Sequence, residues 1–313
     1  MPRVSIGSWA FGIYAERPLP FERVLDRIAE LGFDGVELGA FEPHPEPVEV
    51  STASARAELA DTFARRGLAV SAVAADFGSE GFLTVADPAE YLGALDRNLE
   101  FCSALGAGLL IVNTVDPPET PYAVGPALAR ERLLTTWREA ARRAAGAGIT
   151  LVWEFEPCWA FNEPEQVIEI AHELAGPGFG VLYDTAHAHA VSEAGARQVD
   201  GAGPLEGGQL ELLRRLAGTI AHVHLLDSDG SLHEAEDSSE RTTVHLPFGA
   251  GEIDFDAVGP ALAEAGALTE WWTVDLCFWP DAWDATQASK VFVDGLIERT
   301  ERDQSRPAGP DLR

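Results

Sequence analysis

Carboxylate and imidazole side chains close four separate apolar runs of this sequence: Leu151-Val-Trp-Glu154-Phe-Glu156, Leu182-Tyr-Asp184-Thr-Ala-His187, Ile220-Ala-His222-Val-His224-Leu-Leu-Asp227 and Trp272-Thr-Val-Asp275. Oxygen and imidazole nitrogen together make an open, mixed donor set suited to Mn²⁺, Co²⁺, Zn²⁺ or Mg²⁺. Alone, each acid would be a helix cap or an ion-pair partner, and each histidine a hydrogen-bonded core residue. Gathered at one place they repel one another unless a cation or a substrate compensates, so the set predicts one divalent metal, with manganese the first expectation. The thiols stand outside this set. Cys102, Cys158 and Cys277 form no ligand spacing and read as core or pocket residues of a reducing compartment.

Residues so far apart in the chain meet only if the fold brings them together. Period two places Glu154 with Glu156, and His222 with His224, on one side of their strands, without saying which member of each pair lies deeper. Asp184 and His187 sit three apart where a strand turns into its loop, so one can ligate while the other addresses substrate. Short β-branched runs alternate with segments of helical period along the whole chain. Strands are expected over 3–9, 35–39, 68–74, 108–113, 149–155, 179–183, 219–226 and 271–276. Helices are expected near 21–31, 52–66, 88–105, 128–147, 164–175, 209–217, 254–265 and 284–300, the first stopped by Gly32. This count, with one style of connection throughout, predicts an α/β fold: a single-domain parallel (β/α)8 barrel over 1–300, with 301–313 a frayed tail. The C-terminal ends of the strands would then share one mouth, covered by the long polar connections Ser192–Gly208 and Ser228–Ala250. Trp159 and Trp279, on loops, are placed to stack on a sugar ring or a flat leaving group.

With 51 acidic against 22 basic side chains the formal charge is −29, which repels phosphate backbones and anionic membranes. Neither nucleic acid nor membrane is expected as a partner. No basic segment leads into a long apolar stretch near the first residue, so a cytoplasmic soluble protein is the expectation.

Beyond this reading, the sequence resembles the xylose-isomerase-like barrels, a family of sugar phosphate isomerases and epimerases distantly related to endonuclease IV. The likeness runs from Phe21-Glu-Arg-Val-Leu-Asp-Arg-Ile-Ala-Glu-Leu-Gly-Phe-Asp-Gly-Val-Glu37 to the eighth strand. Its most specific pieces are Gly148-Ile-Thr-Leu-Val-Trp-Glu154, Gly180-Val-Leu-Tyr-Asp184-Thr-Ala-His187, His222-Val-His224-Leu-Leu-Asp227 and Pro247-Phe-Gly-Ala-Gly251-Glu-Ile-Asp254-Phe. The resemblance implies Glu154, Asp184 and His224 as metal ligands and His187 as a substrate-contacting histidine. Asp275 stands where the family usually carries a ligating glutamate, one methylene longer. Asp76 and Asn113 stand where the endonuclease branch has further metal histidines, so the DNA-repair reading loses its ligands as well as its charge balance. His245 occupies the place of a metal histidine of that branch, as a ligand or a general base ranked below the trio. Gly249 and Gly251 read as turn formers that let backbone approach closely.

A cation on adjacent oxygens of a hydroxyketone acidifies the C–H bond between them and stabilises the enediolate that follows. The expected function is therefore a metal-dependent isomerase or epimerase of a keto sugar or related polyol. Glu154, His187, His245 and Asp275 are its candidate proton-transfer groups, and His187, Glu156, Trp159 and Trp279 its substrate contacts. A lyase of the same superfamily is the rival: the large subunit of a C-glycoside deglycosidase, eliminating an aglycone from a 3-oxo-glycoside, with the aromatic run Trp271 to Trp283 suited to the leaving group. That reading calls for a small partner subunit, where the first is compatible with a homo-oligomer. A non-catalytic sugar-binding barrel is the third reading, and it predicts no stoichiometric metal.

Overall fold

A computed structural model describes residues 1–12, 18–77, 81–199, 201–233 and 242–304. Eight strands, β1 (Arg3–Gly7), β2 (Gly35–Ala40), β3 (Ala69–Ala75), β4 (Leu109–Val112), β5 (Thr150–Glu154), β6 (Phe179–Asp184), β7 (Ile220–Leu225) and β8 (Trp271–Val274), pair in chain order, and β8 returns to β1. Every pairing is parallel, so the sheet closes into a barrel with no free edge. Around it lie α1 (Phe21–Glu30), α2 (Ala53–Ala64), α3 (Ala89–Leu105), α4 (Thr120–Val124), α5 (Pro126–Gly146), α6 (Pro164–Leu174), α7 (Thr185–His189), α8 (Gly208–Arg215), α9 (Phe255–Glu264) and α10 (Ala282–Gln304). The expected fold is the observed one.

The first unit shows the cause. Val24, Leu25 and Ile28, three and four apart, form the fully buried stripe of α1, each contributing about 1.5–3 kcal/mol on leaving water. Gly32 then takes φ 78°, and its amide and that of Phe33 return to the carbonyls of Ala29 and Ile28, ending the helix. Differences from the sequence reading fall at loops and ends. The strand expected over 3–9 stops at Gly7, and Ser8–Phe11 curl into a 3-10 turn. Two short helices, α4 and α7, occupy loops after β4 and β6, and α7 runs on into a π turn at Ala190–Ala194. The last helix continues to Gln304, so the expected tail begins as helix; 305–313 lie outside the described residues. Among the described residues no helix is long and apolar enough to cross a membrane.

The barrel interior is divided. Ala72, Ile111, Val152 and Leu182, from β3 to β6, form a small apolar cluster of their own, while the neighbours of Leu182, Val181 and Tyr183, join the core beneath the helices. On the opposite wall Ser5, Glu37, His222 and Thr273, from β1, β2, β7 and β8, are all fully buried. One half of the interior is thus hydrocarbon and the other polar, which requires every polar atom there to find a partner.

Candidate functional site

Glu37 organises the polar half. Its Oε2 accepts from His222 Nε2 at 2.6 Å and from the Thr273 hydroxyl at 2.9 Å, and its Oε1 accepts from His224 Nε2 at 2.7 Å. Ser5 closes the layer through a 2.7 Å hydrogen bond with Thr273. With Nε2 of His224 held by a carboxylate, Nδ1 is turned the other way, toward the strand ends. This is the arrangement in which a carboxylate fixes the tautomer and orientation of a ligating imidazole.

Three carboxylates meet that nitrogen. His224 Nδ1 lies 3.2 Å from Glu154 Oε1, 3.7 Å from Asp184 Oδ2 and 3.8 Å from Asp275 Oδ2. Donors bonded at 2.0–2.2 Å to one tetrahedral ion stand about 3.3 Å apart; Glu154, Asp184 and His224 approach that spacing, with donor atoms all within 4.8 Å of one another, whereas Asp275 lies beside His224 and outside that group. Local structure divides each acid's two oxygens. The Asp184 side chain caps α7, its Oδ1 accepting from His187 N at 2.8 Å, and its buried Oδ2 has no hydrogen-bond partner among the described residues. Asp275 Oδ1 accepts from Trp9 Nε1 at 2.9 Å and from Cys277 N at 2.8 Å, leaving Oδ2 for the mouth. His224 Nδ1 is likewise buried without a hydrogen-bond partner among the described residues. Orphaned donors on two adjacent strands, aimed at one point, fit a divalent cation.

The remaining sequence candidates ring this centre. His187, 2 % exposed, shares a hydrogen bond with Thr243 Oγ1 through Nδ1 at 2.8 Å, and its Nε2 lies 3.8 Å from Glu154 Oε1 and 3.7 Å from Glu156 Oε2. Glu156 accepts from Trp159 Nε1 at 3.0 Å and from the Thr242 hydroxyl at 2.8 Å, tying the loop after β5 to the one after β7. Trp159 is thus fixed at the rim by its indole nitrogen. Trp279, by contrast, is half-buried against the main core, and the exposed aromatic beside it is Phe278, whose ring lies 4.9 Å from that of His233. His245 stands 5.5 Å, ring to ring, from His187, outside the group formed by Glu154, Asp184 and His224.

The glycine-rich turn that carries His245 into place is held by Asp227. Its two carboxylate oxygens accept from the amides of Ser228, Gly249, Gly251 and Ile253 at 2.8–3.2 Å. A Cβ at Gly251 would fall 2.4 Å from Asp227 Oδ1, so only glycine allows this approach; Gly249 has φ 85°. Asn at 227 keeps one acceptor and turns an NH₂ toward two amides. Losing two charge-assisted bonds is expected to lower stability by about 3 kcal/mol, read by urea unfolding of the Asp227→Asn protein.

Burial and neighbours set the charges. Burial would raise the Glu37 carboxyl, but the charges and hydrogen bonds of His224 and His222 hold it well below the usual range. Burial likewise opposes ionisation of Asp184, yet the facing histidines bring it down to about 2. Glu154 is pushed up to about 7, chiefly by burial and only partly relieved by His224. Burial lowers His224, but the Glu37 carboxylate, with Asp184 and Glu154 close by, outweighs it and raises the imidazole well above its ordinary value. A cation held by these residues would displace the His224 Nδ1 proton and, near neutral pH, part of a proton from Glu154. Calorimetric metal titrations in buffers of different ionisation enthalpy are expected to show more than one proton released at pH 6. The number falls, and apparent affinity rises, as pH passes through about 7.

A family model for xylose isomerase-like TIM barrels matches residues 25–290. The solved structure of L-ribulose 3-epimerase superposes with a TM-score of 0.70 at 20% identity, over 99% of this chain and 100% of that one. The IOLI protein with a binding zinc atom gives 0.71 at 19% identity, over 95% and 99%. Both likenesses are of fold. The dihydroorotate dehydrogenase (quinone) of Streptomyces griseus subsp. griseus is 27% identical over 273 residues, 77% of this chain and 71% of that protein, a level that assigns no family.

Proposed function

The chain belongs to the xylose isomerase-like TIM barrel family, and from that premise we propose that it is a divalent-metal-dependent isomerase or epimerase of a keto sugar or related polyol. The observation that carries this reading is the convergence of Glu154, Asp184, His224 and Asp275 at the barrel mouth, with two buried donor atoms unpartnered. A divalent cation in that sphere, Mn²⁺ first among the candidates for a site with three carboxylates and one imidazole, would polarise neighbouring hydroxyl and carbonyl oxygens of the substrate and acidify the C–H bond between them.

The chain's own groups then bind, orient and move protons. Glu154, whose Oε1 faces His224 Nδ1, offers Oε2 as the atom that transfers a proton. His187, steadied by Thr243 and pointing Nε2 at the two glutamates, meets a substrate hydroxyl. Asp275 serves as a ligand through Oδ2, while its Oδ1 accepts from Trp9 and the Cys277 amide. Trp159 walls the sugar on the β5 side. Among the described residues no lysine or arginine pairs with Glu154, Glu156, Asp184 or Asp275, which favours an uncharged sugar over a phosphorylated one.

A screen of ketoses and oxo-glycosides with added Mn²⁺ in deuterated water tests the proposal. The expected result is conversion of a ketose with solvent deuterium on the carbon that is deprotonated. Release of an aglycone instead makes the protein a lyase, and conversion of nothing by a chain that holds no metal makes it a binding barrel; either outcome overturns the reading.

A further inference from the structure

Cys277 lies two residues beyond Asp275, is 6 % exposed, and meets His245 and Asp275 so that one donor atom from each falls within 4.8 Å of the others. His245 is 4 % exposed, and neither of its ring nitrogens has a hydrogen-bond partner among the described residues. A buried imidazole with both nitrogens unsatisfied is an expensive feature to leave unexplained. Its Nδ1 is 3.8 Å from Asp275 Oδ1, too far for a hydrogen bond and close to the separation of two ligands on one small cation. The first site faces the other oxygen of the same carboxylate, since it is Oδ2 that lies 3.8 Å from His224 Nδ1.

We propose that His245, Asp275 and Cys277 hold a second and softer divalent cation of the Zn²⁺ or Co²⁺ class, with Asp275 bridging it to the first. The donor set supports that choice. Imidazole nitrogen, carboxylate oxygen and thiolate sulfur are the ligands zinc takes, and three protein ligands leave one position open for water. Thiolate selects against Mn²⁺ and Mg²⁺, which suit the oxygen-rich first site, so the two subsites sort different ions. Each oxygen of a bridging carboxylate serves one metal, as in paired sites with ions about 3.5–4 Å apart. On binding, the Cys277 thiol gives its proton to solvent as its sulfur takes the metal. Asp275 Oδ1 also accepts from the Trp9 indole and from the Cys277 amide, so the second cation displaces the indole from that oxygen and perturbs Trp9 emission.

The inference rests on the proposed metal centre only through Asp275, and a Co²⁺ titration of chelator-treated protein separates the two. Wild type is expected to bind two equivalents, one of them with a thiolate-to-cobalt charge-transfer absorption in the near ultraviolet. Cys277→Ser should abolish that band and leave one equivalent, and His245→Ala should weaken the same equivalent. Glu154→Gln should remove the other equivalent and keep the band. A wild type without the sulfur band, whether it binds one equivalent or two, or a band that survives Cys277→Ser overturns the second site, and a single equivalent that carries the band overturns the first. Should Glu154→Gln keep both equivalents, the first assignment fails instead. The wild-type spectrum alone decides the case if a variant does not fold.

Discussion

Glu154→Gln protein is expected to come through purification without its tightly held cation and with turnover lowered by about 10³-fold or more, the loss that follows when roughly 4 kcal/mol of metal-assisted stabilisation is withdrawn. Gln keeps the shape of Glu154 and an oxygen toward His224 Nδ1 but removes a negative charge from a sphere that Asp184 and Asp275 alone then complete. Because Glu154 keeps part of its proton near pH 7, the neutral amide is also a fair mimic of its protonated form, and the fold should tolerate it. His224→Ala is the harsher companion. It empties the same coordination position but also leaves Glu37 buried with His222 as its remaining imidazole partner. Stranding a buried charge in that way costs about 3–5 kcal/mol, so this variant is expected to lose metal and stability together, where Glu154→Gln loses metal and keeps the unfolding midpoint of chelator-treated wild type. Elemental analysis of both proteins beside wild type makes the check: cation content unchanged in both would remove Glu154 and His224 from the metal centre.

The barrel was legible because its repeat is local. Each unit announces itself by a β-branched run and an apolar stripe, so strands and helices came within a few residues of where they stand. Convergence of the strand ends then follows from closure, and Glu154, Asp184, His187, His224 and Asp275 are indeed brought together. Glu37 was passed over. It sits in Gly35-Val-Glu-Leu-Gly39, a run that becomes a strand buried along its whole length. A carboxylate inside such a strand needs a buried cationic or hydrogen-bonded partner, and that was the available signal. Its partners on β7 lie across two intervening strands, a contact no local pattern reports. Trp9 and Cys277 were hidden for the same reason, since only the pairing of β1 with β8 sets an indole from the first loop and a thiol from the last beside Asp275. Asp227 stood inside a recognised motif, yet its role is to hold backbone amides some twenty residues away, which becomes visible only when the loop is folded back.

A Glu37→Gln protein is expected to bind the first cation about 10–100-fold more weakly while recovering most of its turnover once the cation is supplied in excess. The argument turns on how many imidazoles one side chain can orient. Glu37 gives an acceptor oxygen to each of His222 and His224, and Oε2 serves Thr273 as well. Gln has one acceptor, so its NH₂ must face one of the two Nε2–H groups, and that ring has to rotate or change tautomer to escape donor-to-donor contact. If the ring is His224, the proton moves to Nδ1, the very atom the cation needs. The anionic partner that makes the bound imidazole more basic is lost as well, which further weakens its bond to metal. None of this touches the acids that move protons on the substrate, so the defect is one of occupancy, and raising the Mn²⁺ concentration should restore the rate in Glu37→Gln but not in Glu154→Gln. A merely structural role for Glu37 predicts the opposite split, with lowered stability and an unaltered metal saturation curve. Equal cation affinity in Glu37→Gln and wild type would mean that the β7 backbone alone aims His224, and that the buried carboxylate serves packing in the barrel and not the metal.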